Sequence, residues 1–112
     1  MADEPKRNGI KWELASGFKD SWVKHKSDAV SAAMGTFDLC KRSIPPAPLP
    51  ATMKDHKLSG PLKDYYECHL DGDVLLIYKP IAGGAIKLLR VCTHDDISGP
   101  RGAALAKILK TE

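Results

Sequence analysis

Cysteine is scarce in this sequence. Cys40, Cys68 and Cys92 are the whole supply, and no two are close enough to spell Cys-x-x-Cys. That excludes the common zinc and dithiol-redox spacings. Cys68 and Cys92 fall inside apolar strand patterns, where a thiol is expected to be a small, reduced, buried side chain. Long apolar runs are also missing, so nothing here reaches the roughly 20 residues that a membrane-spanning helix requires. There is no internal repeat and no low-complexity tract. Neither sign of charge dominates: 17 Lys and Arg face 14 Asp and Glu, for a net +3. This balance permits a polyanionic partner without demanding one, and the distribution of bases matters more than their total. The opening Met1-Ala2-Asp3-Glu4-Pro5-Lys6-Arg7-Asn8 is polar and of mixed charge, unlike a signal peptide or an anchor. The expectation is a cytoplasmic protein with no membrane association.

What is present reads as one α+β domain. The length of 112 residues suits a single core, with residues 1–9 expected as a polar tail and 10–112 as the domain. Ile10 to Leu14 alternates apolar and polar residues, the period of a half-buried strand. Ser16 is placed to cap a short helix carrying Phe18 and Trp22. Asp28 is placed to cap a second, whose stripe is Val30, Ala33, Met34, Phe37 and Cys40. Four prolines between Ser43 and Pro50 break that helix and stiffen the connector. Strands are then expected over Tyr65–Leu70, Val74–Lys79 and Ala85–Thr93. The first pair is joined by a tight turn at Asp71-Gly72-Asp73. Ser98-Gly99-Pro100 opens a last helix, about residues 100–110, with an apolar stripe of Ala104, Leu105, Ile108 and Leu109.

The chemistry concentrates between Lys54 and Asp96. His56, His69 and His94 lie there at loops or strand ends, with Glu67, Asp73, Lys54, Lys57, Lys63 and Arg90 among them. Imidazole is the side chain best suited to moving protons near neutral pH. Strand alternation puts Tyr65, Glu67 and His69 on one face and Tyr66, Cys68 and Leu70 on the other. Glu67 and His69 therefore share a face, as a carboxylate and the imidazole it orients would.

The wording of the stretch is specific. Lys54-Asp55-His56-Lys57-Leu58-Ser59-Gly60 is followed by Asp64-Tyr65-Tyr66-Glu67-Cys68-His69-Leu70, Asp73-Val74-Leu75-Leu76-Ile77-Tyr78-Lys79 and Arg90-Val91-Cys92-Thr93-His94. This order resembles the YafQ branch of the RelE/ParE toxins, ribosome-dependent messenger-RNA endonucleases of type II toxin–antitoxin pairs. The resemblance runs from about Pro48 to His94. It implies two N-terminal helices packed on a small twisted antiparallel sheet, here with an additional C-terminal helix. It also implies a cognate antitoxin, the ribosome and mRNA as partners, a toxin–antitoxin heterotetramer as an assembly, and cleavage through the ribose 2′-OH with no metal or other cofactor. By the same resemblance His56, His69, Asp73 and His94 match cleavage positions, and Glu67 stands where the family has aspartate. The expectation is that His56 and His94 exchange protons, that His69 with Asp73 and Glu67 tunes and orients them, and that Lys54, Lys57, Lys63 and Arg90 hold phosphates. Three positions depart from the pattern: Tyr66 replaces an arginine, Val74 an aromatic, and Ser98 an aromatic that could stack on a base.

Plainer readings stand beside these. Asp73 is also an ordinary turn residue, His25 reads as solvated, and the lysines from 54 to 63 read equally as a charged rim. A metal site from His56, His69, Asp73 and His94 matches no known ligand spacing. The alternative function is a non-catalytic member of the same fold, either a gyrase inhibitor or an inactive antitoxin-binding homologue.

Overall fold

The strand-forming residues of the second half alternate so that both faces of each strand are apolar over part of their length, which demands cover on both sides. The computed structural model supplies it. The residues described are 12–43, 47–82 and 85–111. The polar tail 1–9, the first two residues of the expected Ile10–Leu14 strand, positions 44–46 of the proline connector, and Gly83 and Gly84 in the loose turn lie outside them.

Trp12–Leu14 forms β1, Phe18–His25 α1 and Asp28–Arg42 α2. Two 3₁₀ turns, Ala51–Met53 and Gly60–Leu62, flank β2 at His56–Lys57. β3 is Tyr66–Asp71, β4 Val74–Pro80 and β5 Ile86–Thr93. A one-turn helix, α3 at His94–Ile97, leads into α4 at Gly99–Leu109. The sheet order is β1-β5-β4-β3-β2. The antiparallel expectation holds for β2 through β5, while β1 runs parallel to β5, pairing Trp12 with Ile86 and Leu14 with Leu88. The helices between β1 and the later strands make that parallel pairing sterically possible.

Both caps differ from expectation by one residue. Gly17, not Ser16, precedes α1, and it makes no side-chain cap bond. Ser27, not Asp28, caps α2: its hydroxyl accepts from Val30 N at 3.1 Å, leaving Asp28 as the first helical residue. An acid there still complements the helix dipole.

Alternation sorts the strands into two cores. One face carries Cys68, Leu70, Leu76, Tyr78, Ile86, Leu88 and Val91, against Phe18 of α1 and Val30 and Phe37 of α2. The other carries Tyr65, Leu75, Ile77, Leu89 and Cys92, against Ala106 and Leu109 of α4 and Leu62 of the second 3₁₀ turn. A register shift at Ile77/Tyr78 leaves Leu89 as an extra residue in β5, so Leu88 and Val91 both reach one core and Leu89 and Cys92 the other. Gly72 sits at φ +53 in the β3–β4 turn, a conformation suited to glycine. Gly102 lets α4 lie on α3: a Cβ there would come 2.4 Å from the Ile97 carbonyl oxygen.

Candidate functional site

Among the described residues, the α4 face of the sheet is only half covered. α4 lies over residues of β4 and β5, and the same face continues onto β3 and β2. Cross-strand neighbours share a face, so the pairing of Glu67 with both His56 and Ile77, and of His69 with Leu75, puts His56, Glu67 and His69 on this uncovered half.

Three local devices hold the histidines. The first is the Lys54-Asp55-His56 segment. Lys54 adopts φ +47, an uncommon conformation for a side-chain-bearing residue, and turns the chain sharply out of the first 3₁₀ turn. Asp55 then anchors the segment: it accepts a hydrogen bond from the Tyr78 hydroxyl and pairs with Lys41 of α2 at 3.3 Å. Burial first, and the Asp55 carboxylate second, push the Tyr78 hydroxyl far above its ordinary titration range, so it stays a donor. Lys41 also lies over the Tyr78 ring, 5.2 Å from its centroid. Sequence reasoning missed this use of Asp55; its signal was an acid fixed between two site residues, with no role of its own in the proposed chemistry.

The second device is Glu67. Its side chain is buried, and one oxygen takes a 2.6 Å hydrogen bond from His56 Nε2. His56 Nδ1 lies 3.1 Å from the Lys57 carbonyl. Both ring nitrogens thus face acceptors. The other oxygen, Glu67 Oε1, is buried without a hydrogen-bond partner.

The third device joins the β3–β4 turn to α3. Thr93 and Asp96 form a reciprocal capping box, with Thr93 N donating to Asp96 at 2.9 Å, and this fixes His94 as the first residue of α3. Asp73 accepts from the His94 backbone N–H at 3.2 Å and from His94 Nδ1. Those two bonds, the ring bond first, hold the Asp73 carboxyl below the ordinary carboxylate range. Asp73 is therefore both a turn residue and the partner of His94. His94 begins a helix rather than ending a strand as expected.

His69 lies between these pairs. Its ring centroid is 5.1 Å from that of His94, tilted at 60°. Partial burial is the main cause lowering its pKa, Glu67 opposes it, and His94, Lys54 and His56 lower it further. A neutral ring is the consequence near pH 7. Glu67, His69 and His94 also bring ligand atoms within 4.8 Å of one another, a spacing that can hold a cation. That trio differs from the four-residue set weighed on sequence.

The structure does not gather every expected residue. Lys54 acts on His69 directly. Lys63 follows the Gly60–Leu62 turn on an exposed rim. Lys57 pairs with Tyr66 and so faces the α1–α2 side, away from His56. Arg90 lies over Gly17 and lines a groove between α1 and α4 with Ser21, Lys24 and Arg101. β5 pairs it opposite Ile77, and its long side chain ends at Gly17. Tyr66, where the family pattern has arginine, stacks on Tyr78 at 5.6 Å on the helix-covered side, opposite the face of Glu67 and His69.

The family model for YafQ, the bacterial toxin of type II toxin–antitoxin systems, matches residues 12–99. The chain belongs to the YafQ toxin family. The mRNA interferase toxin YafQ of Escherichia coli (strain K12) is 40% identical over 52 residues, which is 46% of this chain and 55% of that protein. The chain thus spans about half the length of that curated relative. Among solved structures, the metal-bound toxin from Helicobacter pylori is 29% identical with a TM-score of 0.61, over 80% of this chain and 99% of that one. The YafQ toxin in the E. coli DinJ–YafQ complex is 26% identical with a TM-score of 0.60, over 80% and 98%. The YafQ match ends at the start of α4, so the helix that covers half of the site-bearing face lies almost wholly beyond it.

Proposed function

We propose that this chain is the toxin of a type II toxin–antitoxin pair and an endonuclease that cuts mRNA on the ribosome. The observation that carries this reading is the convergence of His56, held by Glu67, His94, held by Asp73, and His69 between them, on the open half of one sheet face. The step needs only the substrate's own nucleophile. Neutral His69 takes the proton of a ribose 2′-OH as O2′ bonds to phosphorus. The bond from phosphorus to O5′ breaks, and His94, held through Nδ1 by Asp73, delivers a proton to the leaving oxygen. His56, held by buried Glu67, and Lys54 offset the charge that develops at phosphorus. This reverses two expected roles. His69, with no ring hydrogen bond among the described residues, takes over the proton exchange, while both nitrogens of His56 are engaged.

The DinJ–YafQ complex supports an antitoxin partner; the assembly we propose is a toxin–antitoxin heterotetramer, and the basic rim suits an acidic antitoxin segment. Among the described residues no helix is long and apolar enough to cross a membrane, in keeping with a cytoplasmic site of action. The test is purified protein with ribosomes programmed with a defined messenger. Cutting within codons, fragments ending in 2′,3′-cyclic phosphate, and equal rates with and without EDTA are expected. A messenger with 2′-deoxyribose at the cut site should resist. Intact messenger combined with arrested DNA replication in cells would favour the gyrase-directed alternative instead.

A further inference from the structure

The proton-transfer groups of the site account for cleavage but not for the choice of sequence. No tyrosine is available to stack on a base: Tyr65 and Tyr78 are buried, Tyr66 is stacked on Tyr78, and the family aromatic beyond His94 is Ser98. With those rings engaged, hydrogen bonds along the edge of a single-stranded base are a means of recognition to look for.

A hollow of about 330 Å³ opens directly beside His69, lined by Thr52, Met53, Lys54, His69, Leu70, Asp71 and Gly72. Its walls are the first 3₁₀ turn and the end of β3. Strand β2 pairs only with Tyr66 and Glu67, so among the described residues β3 has no strand neighbour on this side from Cys68 onward. Exposed edge backbone, a hydroxyl on Thr52, an ammonium on Lys54 and a carboxylate on Asp71 thus surround one concave space. Lys54 reaches this position through its left-handed backbone. The Asp71 side chain is exposed beside Gly72 at the irregular end of the β3–β4 ladder.

The geometry points to this hollow as the subsite for the base of a nucleotide flanking the scissile bond, with Asp71 and Thr52 reading its edge. The inference rests on the nuclease reading of the adjoining histidines. His69 is common to both, so a base seated against Thr52 and Asp71 places its sugar–phosphate over His69 and His94. The Asp71 carboxylate accepts hydrogen bonds and donates none. It therefore favours a base that presents an exocyclic amino group over uracil, which presents carbonyl oxygens at the corresponding positions. Lys54 neutralises the flanking phosphate at the mouth.

The experiment uses four RNA trinucleotides that differ only in the central base and carry a central 2′-O-methyl group to block cutting. They are titrated into the full chain and followed by amide chemical shifts. Shifts at Thr52, Lys54, Asp71 and Gly72 are expected, with amino-bearing bases preferred over uracil by about ten-fold, the scale of one specific edge contact. Asp71→Asn, close in shape and able to donate to a carbonyl, should flatten or invert that preference. Thr52→Val, on the opposite wall, should weaken binding several-fold for every base. Base-blind binding, shifts confined to Glu67 and His94, or an unchanged preference in Asp71→Asn would overturn the subsite. Ribosomal cleavage together with base-blind binding would remove the subsite and leave the nuclease standing. Base-selective binding with no ribosomal cleavage would do the reverse.

Discussion

The two faces of the sheet are built from alternate residues of the same three strands, yet they meet different fates. The face under α1 and α2 is sealed: Phe37 is fully buried, with its ring 5.0 Å from Tyr78 and 5.6 Å from Trp12. The opposite face is divided between an apolar half under α4 and an uncovered half where Glu67 and His69 replace aliphatic residues. Removing apolar surface from water stabilises the first face in proportion to its area. On the second, the same strands carry a buried carboxylate that pairs with His56. Stability and chemistry are thus segregated by strand parity, and substitutions on the two faces should have separable effects.

The sharpest way to break that separation is His94→Ala. Because His94 is exposed, its loss should leave the thermal midpoint unchanged while ribosomal cleavage falls about 10²–10⁴-fold, the contribution of a positioned acid or base. A large drop in stability would show that the site half also holds the fold. The converse is Phe37→Ala, expected to destabilise by about 3–5 kcal/mol in urea denaturation, with cleavage per folded molecule retained. Asp55→Ala falls between the two, because Asp55 ties the His56 segment to Tyr78 and Lys41. A loss of about 1.5–3 kcal/mol, typical of a hydrogen bond to a charged group, is expected, together with weaker cleavage as His56 loses its support. The smallest effect is on pH dependence. His69 is lowered from the ordinary 6.5, mainly by burial. As pH falls it is protonated late, so the acid limb of kcat/KM should lie below 6.5 in wild type. A limb above 6.5 would reassign the base.

Much of this arrangement was legible in the residues. Period-two alternation over Tyr65–Leu70 correctly put Glu67 and His69 opposite Cys68 and Leu70, because side-chain direction in a strand follows directly from sequence position. The α2 stripe from Val30 to Phe37 was equally readable, since helical spacing and burial agree there. What sequence could not supply were the pairings between distant segments. Nothing local distinguishes Glu67 as the partner of His56, or Asp73 as that of His94, because both depend on strand register. Arg90 is a related case: its register partner is Ile77, yet its side chain ends at Gly17, a reach that no local pattern foretells. Lys57 shows the opposite lesson. Its parity relative to His56 was available, and counting by two would have turned it away from the site.

The most direct measurement is single-turnover cleavage on programmed ribosomes by His69→Ala, His94→Ala and the double variant. If the two rings serve one ribose-phosphate link in a single step, each single change should cost at least about 100-fold. The double variant should then be little slower than either, as expected for groups that act as a unit. Losses that multiply in the double variant, or near-wild-type cleavage by either single one, would contradict a shared site between His69 and His94.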